Sequence, residues 1–363
     1  MPRKPKPTKP PVQTTTSTTT STTTTSTLTT TIHGDLFTTT TYAYTIEEVE
    51  DMYFKPKNLL IYYGWLNSFN SAENGWDNEK VAKDFAKYNL IVFGDGVQDP
   101  GHGDFANSQV IIPRIKELNA DALIFGYVTT NQDYSAFTTK AAQWDDLEVD
   151  GIFMDESGYD YGKTREEFNQ RVDFIHGQSD ANICFANAWN IDHVLGTEED
   201  ASFPNSTYNP SLVESNLDEN DWYLMESFPI NTDAYTGGYE PQADWKVRGE
   251  VAVERRNQYF INLAACGIIN DDNASGQAIF EFGFVSACMF TLEAFGTSDS
   301  NYGASSAKSN FWSRPPTLGI GTILKYPVII ASDIGDVYWR YVEFGNFMLD
   351  FTSGAESSSI MRW

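Results

Sequence analysis

Basic residues are scarce in this chain: 24 lysines and arginines stand against 50 aspartates and glutamates, a formal charge of −26. A surface of that sign repels phosphates, which argues against DNA or RNA as a partner of the protein body. It suits a cationic partner, high salt, or simply a soluble acidic surface. Cysteine is rare too. Cys184, Cys266 and Cys288 are irregularly spaced, each among apolar or small neighbours. An odd count without regular spacing gives no disulfide framework and reads as buried thiols. His33, His102, His176 and His193 show no zinc-ligand spacing, so neither a metal nor a cofactor is expected. No apolar run approaches the roughly 18 residues of a membrane span, and none is expected. The N-terminus lacks the apolar core of a secretory signal. Work outside a cell would need another route, such as assembly onto a virus particle with release by lysis, or earlier cleavage of a signal. No G-x-S-x-G element occurs, which speaks against a serine hydrolase of that type. GYDYGKT, Gly158 to Thr164, misses a phosphate-binding loop by one residue, because the required first glycine falls at Ser157.

What is abundant comes in blocks. Residues 1–12 are rich in Pro and Lys and should be extended. Residues 13–41 are dominated by Thr and cannot bury enough apolar surface to fold alone. Two readings stand: a flexible stalk open to O-glycosylation, or an arm that gains strand structure against a neighbouring subunit. TIEE at Thr45 to Glu48 fits a capping box and predicts a short helix to about Phe54. Aromatics reach 14%, which suits sugar-binding faces, a bulky core or an assembly interface.

From Leu59 onward a rhythm sets in. Apolar, β-rich runs lie at 59–63, 90–93, 122–128, 151–155, 182–186, 222–226 and 265–269, with a weaker eighth near 299–305. Helical segments fall between them at 78–88, 107–118, 136–146, 164–177, 244–262 and 275–292. The runs are continuous rather than alternating, as in parallel strands buried on both faces. Strand–helix alternation at this period predicts an α/β fold, a (β/α)8 TIM barrel, with an open doubly wound sheet as the alternative. The segments TILKYPVIIAS, DVYWRYVEF and GNFMLDFTS predict a small C-terminal antiparallel β element. The expected division is an extended arm over 1–45, a short helix and linker over 46–58, the barrel over 59–315 and the β extension over 316–363.

The ends of the strands are unusually polar. Strand two runs into Asp95, strand three ends at Tyr127, and strand four ends at Asp155 and Glu156. Strand five leads to Asn187 and Trp189, strand six ends at Glu226, and strand seven runs into Asp271 and Asp272. In a barrel these ends share one rim, where catalytic groups gather. Glycoside cleavage needs a proton donor and a second carboxylate, and crowding of like charges keeps one acid protonated near neutrality. Successive strand side chains point to opposite faces, so Asp155 and Glu156 can both face a pocket only if the strand ends between them. The competing role of such acids is to cap helices and bond loop amides. Asp95, Asp99, His102 and Asp104 crowd one loop, which reads as a self-bonding loop more readily than a cation site.

These residues carry a resemblance. From Leu59 to about Ser306 the chain resembles the spherulin-4-like barrels, relatives of the endo-acting polygalactosaminidases. The matching pieces are DPGHGDF after strand two, GYVTT at Gly126 to Thr130, Trp144 ahead of VDGIFMDE, and Glu226 on strand six. The resemblance implies a (β/α)8 fold, action on amino-sugar polysaccharides, and Asp155, Glu156 and Glu226 as catalytic acids. The family's asparagine–proline start to the strand-two loop is replaced here by GDGVQDPG. The chain looks closer still to barrels of phage and virion surface proteins, through FGDGVQDPGHGDFAN, TREEFNQRVDFIH, NAWNIDHV and DWYLMESF. The expectation is a glycoside hydrolase on an extracellular or cell-surface polysaccharide, extracellular or virion-associated, with homo-oligomer, virion or filament contacts through the arm. The alternative is a non-catalytic virion or filament protein whose barrel binds glycans or serves as scaffold. Trp65, Trp76, Tyr127, Trp189 and Phe228 are candidate sugar-stacking rings, and Asp95, Asn187 and Asp271 candidate polar substrate contacts.

Overall fold

A computed structural model describes residues 26–27, 43–44, 56–229, 245–268, 274–298, 313–314, 329–330, 337–342, 345–352 and 357–362. Almost all of the Thr-rich arm and the helix expected from Thr45 lie outside these residues, apart from a two-residue antiparallel pairing of Ser26–Thr27 with Ala43–Tyr44. The chain divides into two compact units, Met1–Met52 and Tyr53–Trp363. The second holds everything described below.

Its core is a closed barrel of eight parallel strands, joined edge to edge in chain order. They are β1 (Lys57–Tyr62), β2 (Leu90–Phe93), β3 (Leu123–Thr129), β4 (Gly151–Asp155), β5 (Ile183–Asn187), β6 (Trp222–Glu226), β7 (Asn262–Ile268) and β8 (Ala294–Ser298). The eighth strand lies at 294–298, ahead of the expected 299–305. It closes the ring by pairing with β1 on one side and β7 on the other.

The continuous apolar runs follow from burial on both faces. Ile61, Val92, Phe125, Phe153, Phe185 and Leu224 fill the barrel interior. Their neighbours Leu60, Ile91, Ile124, Ile152, Ala186 and Tyr223 point outward into the layer beneath the helices. Each buried side chain of this size contributes roughly 1.5–3 kcal/mol relative to exposure. The surrounding helices are α1 (Asn78–Phe85), α2 (Phe105–Leu118), α3 (Tyr134–Asp145), α4 (Arg165–His176), α5 (Trp245–Tyr259) and α6 (Ala274–Phe290). Their starts are chemically marked. Asp77 accepts from the N–H groups of Glu79 and Lys80 at the head of α1. Thr164 and Glu167 form a capping box on α4, which is the role of the Thr in the near-miss phosphate loop. Between β5 and β6 there is no full helix, only a 3-10 turn at Ile191–His193 and a single turn at Asn205–Tyr208.

A four-stranded antiparallel sheet follows: β9 (Ile329–Ile330), β10 (Val337–Val342), β11 (Gly345–Asp350) and β12 (Ser357–Arg362), in that order. The sequence reading anticipated the strands up to β11 and missed β12. Aromatic contacts seat the sheet on the helices: Tyr338 lies edge-on to Trp245 at 5.1 Å and Phe351 to Phe282 at 5.0 Å. None of the three cysteines is in a disulfide, and all three are buried. Among the described residues no helix is long and apolar enough to cross a membrane.

Candidate active site

Strand parity selects which side chains enter the barrel mouth. Phe125, Phe153, Phe185 and Leu224 all face the interior, so the residues two positions on, Tyr127, Asp155, Asn187 and Glu226, face the same way one layer higher. The four meet there. The side-chain amide of Asn187 donates to Asp155 Oδ1 at 2.8 Å and to Glu226 Oε2 at 3.0 Å. The Tyr127 hydroxyl donates to Asp155 Oδ2 at 2.8 Å, and the Glu156 N–H donates to Asp155 Oδ1 at 2.9 Å. Thus Asp155 accepts three of these bonds and Glu226 accepts one.

Burial pushes both carboxyl groups above the usual carboxylate range. For Asp155 the hydrogen bonds from Tyr127, the Glu156 N–H and Asn187 oppose that rise. For Glu226 the Asn187 amide and the Arg248 guanidinium oppose it, while the negative charge of Asp155 adds to it. Burial also lifts the Tyr127 hydroxyl well above its ordinary value, helped by Asp155, so this phenol remains a donor.

β4 ends at Asp155, and Glu156 has a left-handed backbone, φ +56°. Ser227, directly after Glu226, repeats this at φ +52°. Two non-glycine residues in this region, each costing about 1–3 kcal/mol, break the two acid-bearing strands at the point where their carboxylates are presented. The break turns the Glu156 side chain to β3, where Oε2 accepts from Thr129 Oγ1 at 2.5 Å. Glu156 therefore neighbours the pair through its backbone and its charge. At Ser227 the same turn sends Phe228 into the core. Phe228 is fully buried, its ring 6.0 Å from that of Phe290. The expectation that Phe228 stacks on a sugar is therefore corrected: its ring has no open face.

The other candidates divide. Trp65 and Trp189 are 44% and 51% exposed on the loops after β1 and β5. The Arg248 guanidinium lies 4.5 Å over the Trp189 ring and donates to the Glu226 backbone carbonyl at 3.1 Å. Trp76 is exposed on the β1–α1 connection. Asp95 is ion-paired with Lys140 and accepts from Gln98. Asp271 and Asp272 lie outside the described residues. The acidic loop after β2 bonds to itself: Asp99 accepts from the Gly101 N–H, Asp104 from Asn107, and His102 from the Asp104 N–H.

Sequence reasoning missed Tyr63. It lies two residues past interior Ile61, packs against the interior cluster, and meets Tyr127 edge-on at 5.2 Å. The only available signal was its place in the pair Tyr62–Tyr63, of which strand alternation sends one ring outward and the other in. Arg248, on a helix rather than a strand end, carried no signal at all.

Among the described residues, one cluster brings metal-type donors together: His176, Cys184 and Asp221, within 4.8 Å of one another. It sits at the opposite, N-terminal ends of β5 and β6. Asp221 already accepts from the N–H groups of Cys184 at 2.7 Å and Asp218 at 2.8 Å, and pairs with His176 Nε2 at 3.0 Å. It is a satisfied ion pair that ties α4 to the barrel floor. A cavity of about 380 Å³ opens on the outer face of β6, between α5 and the β5–β6 connection, with Trp189, His193, Tyr223 and Arg248 in its walls. The acid pair does not line it.

No protein-family model matches the chain, and no curated protein matches it. Some solved structures are similar to it at low identity. The glycoside hydrolase domain of PelA from Pseudomonas aeruginosa is 11% identical, over 70% of this chain and 100% of that one, with a TM-score of 0.44. Amy13B of Eubacterium rectale is 9% identical over 81% and 87% of the two chains, TM-score 0.46. An α-amylase from Geobacillus thermoleovorans is 8% identical over 81% and 86%, TM-score 0.41.

Proposed function

We propose that the barrel is a glycoside hydrolase whose reacting acids are Asp155 and Glu226. One observation carries this reading: a single amide nitrogen, that of Asn187, binds both carboxylates from strands far apart in the chain. A scaffold gains nothing from two buried like charges, whereas glycoside cleavage requires two carboxyl groups with separated proton affinities.

The hydrogen bonds support one division of roles. Donors stabilise the charged form of an acid. Asp155, with three, is the ionised member and attacks the anomeric carbon. Glu226, buried with one, holds the proton and delivers it to the departing glycosidic oxygen. Two oxygens sharing one nitrogen at these bond lengths lie at most about 6 Å apart, which favours direct attack by the second carboxylate over attack by an interposed water. The glycosyl–Asp155 ester would then be hydrolysed by a water that gives its proton to the Glu226 carboxylate, restoring both groups and retaining the anomeric configuration. Glu156, held by Thr129, acts by charge alone. The exposure of Trp65 and Trp189 on loops after β1 and β5 supports them as sugar-stacking rings.

The motif resemblance supports an amino-sugar polysaccharide as substrate, extracellular or on a cell surface. The Thr-rich residues 13–41 support display on a virion or other extracellular assembly. The test is incubation of the whole chain with a polysaccharide panel that includes galactosamine polymers. Oligosaccharide release abolished by Asp155→Asn and by Glu226→Gln is the expected result. Release that survives both changes removes these residues from the mechanism. No release from any polymer, with stoichiometric incorporation of the chain into particles, gives the scaffold reading.

A further inference from the structure

We infer that Tyr63 is a positioning residue of the acid pair: its ring braces Tyr127 edge-on at the barrel mouth and so keeps the Tyr127 hydroxyl on Asp155. The inference uses the acid pair of the preceding reading but not its substrate.

The Gly94 N–H donates to the Tyr62 carbonyl at 3.0 Å, joining the ends of β1 and β2. A Cβ on Gly94 would sit 2.6 Å from Tyr63 Cα, so only glycine permits this approach. Tyr62 then turns outward, its hydroxyl within 3.0 Å of Ser68 Oγ and donating to the Trp65 carbonyl. Tyr63 is left facing in, where it packs on the interior cluster and on Tyr127. Tyr127 is the residue whose hydroxyl holds Asp155. Loss of the Tyr63 ring would free the Tyr127 ring, and with it one of the three donors that keep Asp155 charged.

The charged groups that bear on the pair are the two acids themselves, Glu156 beside Asp155 and Arg248 on α5 near Glu226. Burial pushes the Tyr63 phenol well up, so it stays neutral and leaves the titration of the pair to these groups and to the Tyr127 hydrogen bond.

The test compares Tyr63→Phe, Tyr63→Ala and Gly94→Ala by carboxyl-carbon NMR titration of Asp155 and Glu226 in the whole chain, without substrate. Tyr63→Phe keeps the ring, and its titration should overlay the parent. Tyr63→Ala removes the brace and loosens the Tyr127 hydroxyl from Asp155, so the apparent titration of the pair should move upward by about one pH unit, the scale of one lost hydrogen bond to a charged group. Gly94→Ala, which displaces Tyr63, should move it the same way. A Tyr63→Ala titration that overlays the parent in a folded protein, or a Tyr63→Phe titration that moves as far as Tyr63→Ala, overturns the brace. A protein that titrates as expected yet cleaves no polysaccharide sinks the hydrolase reading and leaves this one standing.

Discussion

Gly126 offers a substitution whose effect runs from packing to the site. It lies on β3, one residue before Tyr127, and the Trp144 indole from α3 lies directly on it. A Cβ at Gly126 would fall closer to three indole atoms than the 3.0 Å that Cβ atoms keep. Trp144 has no exposed surface into which it could move, and its indole N–H donates to the Tyr127 carbonyl at 3.2 Å. Gly126→Ala must therefore push the ring outward or bend the strand. Overpacking of a tight core costs about 1–3 kcal/mol, and a buried indole N–H stripped of its acceptor adds about 1–3 kcal/mol. A combined loss of about 3 kcal/mol should lower the melting temperature by roughly 5 °C in a chain of this size. Thermal unfolding followed by near-UV circular dichroism reads both the stability and the tryptophan environment. Trp144→Leu makes room, so it should harm the Gly126→Ala protein less than the parent, a coupling expected only of touching residues. A melting temperature within about 1 °C of the parent, or strictly additive effects, would refute the packing argument and its link to Tyr127.

Three further outcomes follow from the same geometry. Asp155→Asn and Glu226→Gln should each reduce polysaccharide cleavage by about a thousandfold or more while leaving the far-UV spectrum intact, because each amide fills the volume of the acid but can neither attack nor deliver a proton. The same two variants should gain thermal stability relative to the parent as pH rises. A carboxyl group whose folded pKa is raised by burial contributes stability that is full below its unfolded pKa and is lost as pH rises through the folded one. The amides lack that loss, and calorimetry that shows no growing gap between pH 4 and 7 contradicts it. His176, whose bond to Asp221 raises it above its ordinary 6.5, obeys the same sign: its contribution is full below about 6.5 and disappears at higher pH. His176→Gln should flatten the stability–pH curve above 6.5, and an unchanged slope would mean that the pair contributes nothing.

The strands were legible where their length and chemistry left no alternative. β2 and β4 are unbroken apolar runs, and strands buried on both faces have no other pattern. β8 was placed too late because Ala294–Ser298 contains one large side chain, Phe295, and follows closely on the apolar end of α6. What makes Ala294–Ser298 a strand is closure: β1 and β7 leave a gap one strand wide, and a polar-tailed segment fills it through backbone bonds. β12 was hidden for a similar reason, since SSSIMR earns its place by pairing with β11 rather than by its own apolar pattern.

The site divides along the same physical line. Tyr127, Asp155, Asn187 and Glu226 were readable because parity along a strand is a local property: each sits two residues beyond an interior side chain. Tyr63 obeys the same rule, but LLIYY reads as one apolar run until the direction of Tyr62 is known, and that direction depends on Ser68 and Gly94. Phe228 was misjudged because parity ends with the strand. One left-handed residue, Ser227, resets the direction of everything after it, and nothing in the letters ESF announces it. Glu156 shows the converse, since its left-handed backbone is what lets two adjacent acids occupy one rim. If those two backbone breaks aim the acids, proline at either position must fail in a specific way. Proline cannot adopt a positive φ, so Ser227→Pro should continue β6, carry Phe228 out of the core, and cost both stability and the Asn187–Glu226 bond. Ser227→Gly, at ease with positive φ, should retain both. A glycine variant as damaged as the proline one would mean that the Ser227 side chain, rather than its backbone, does the aiming.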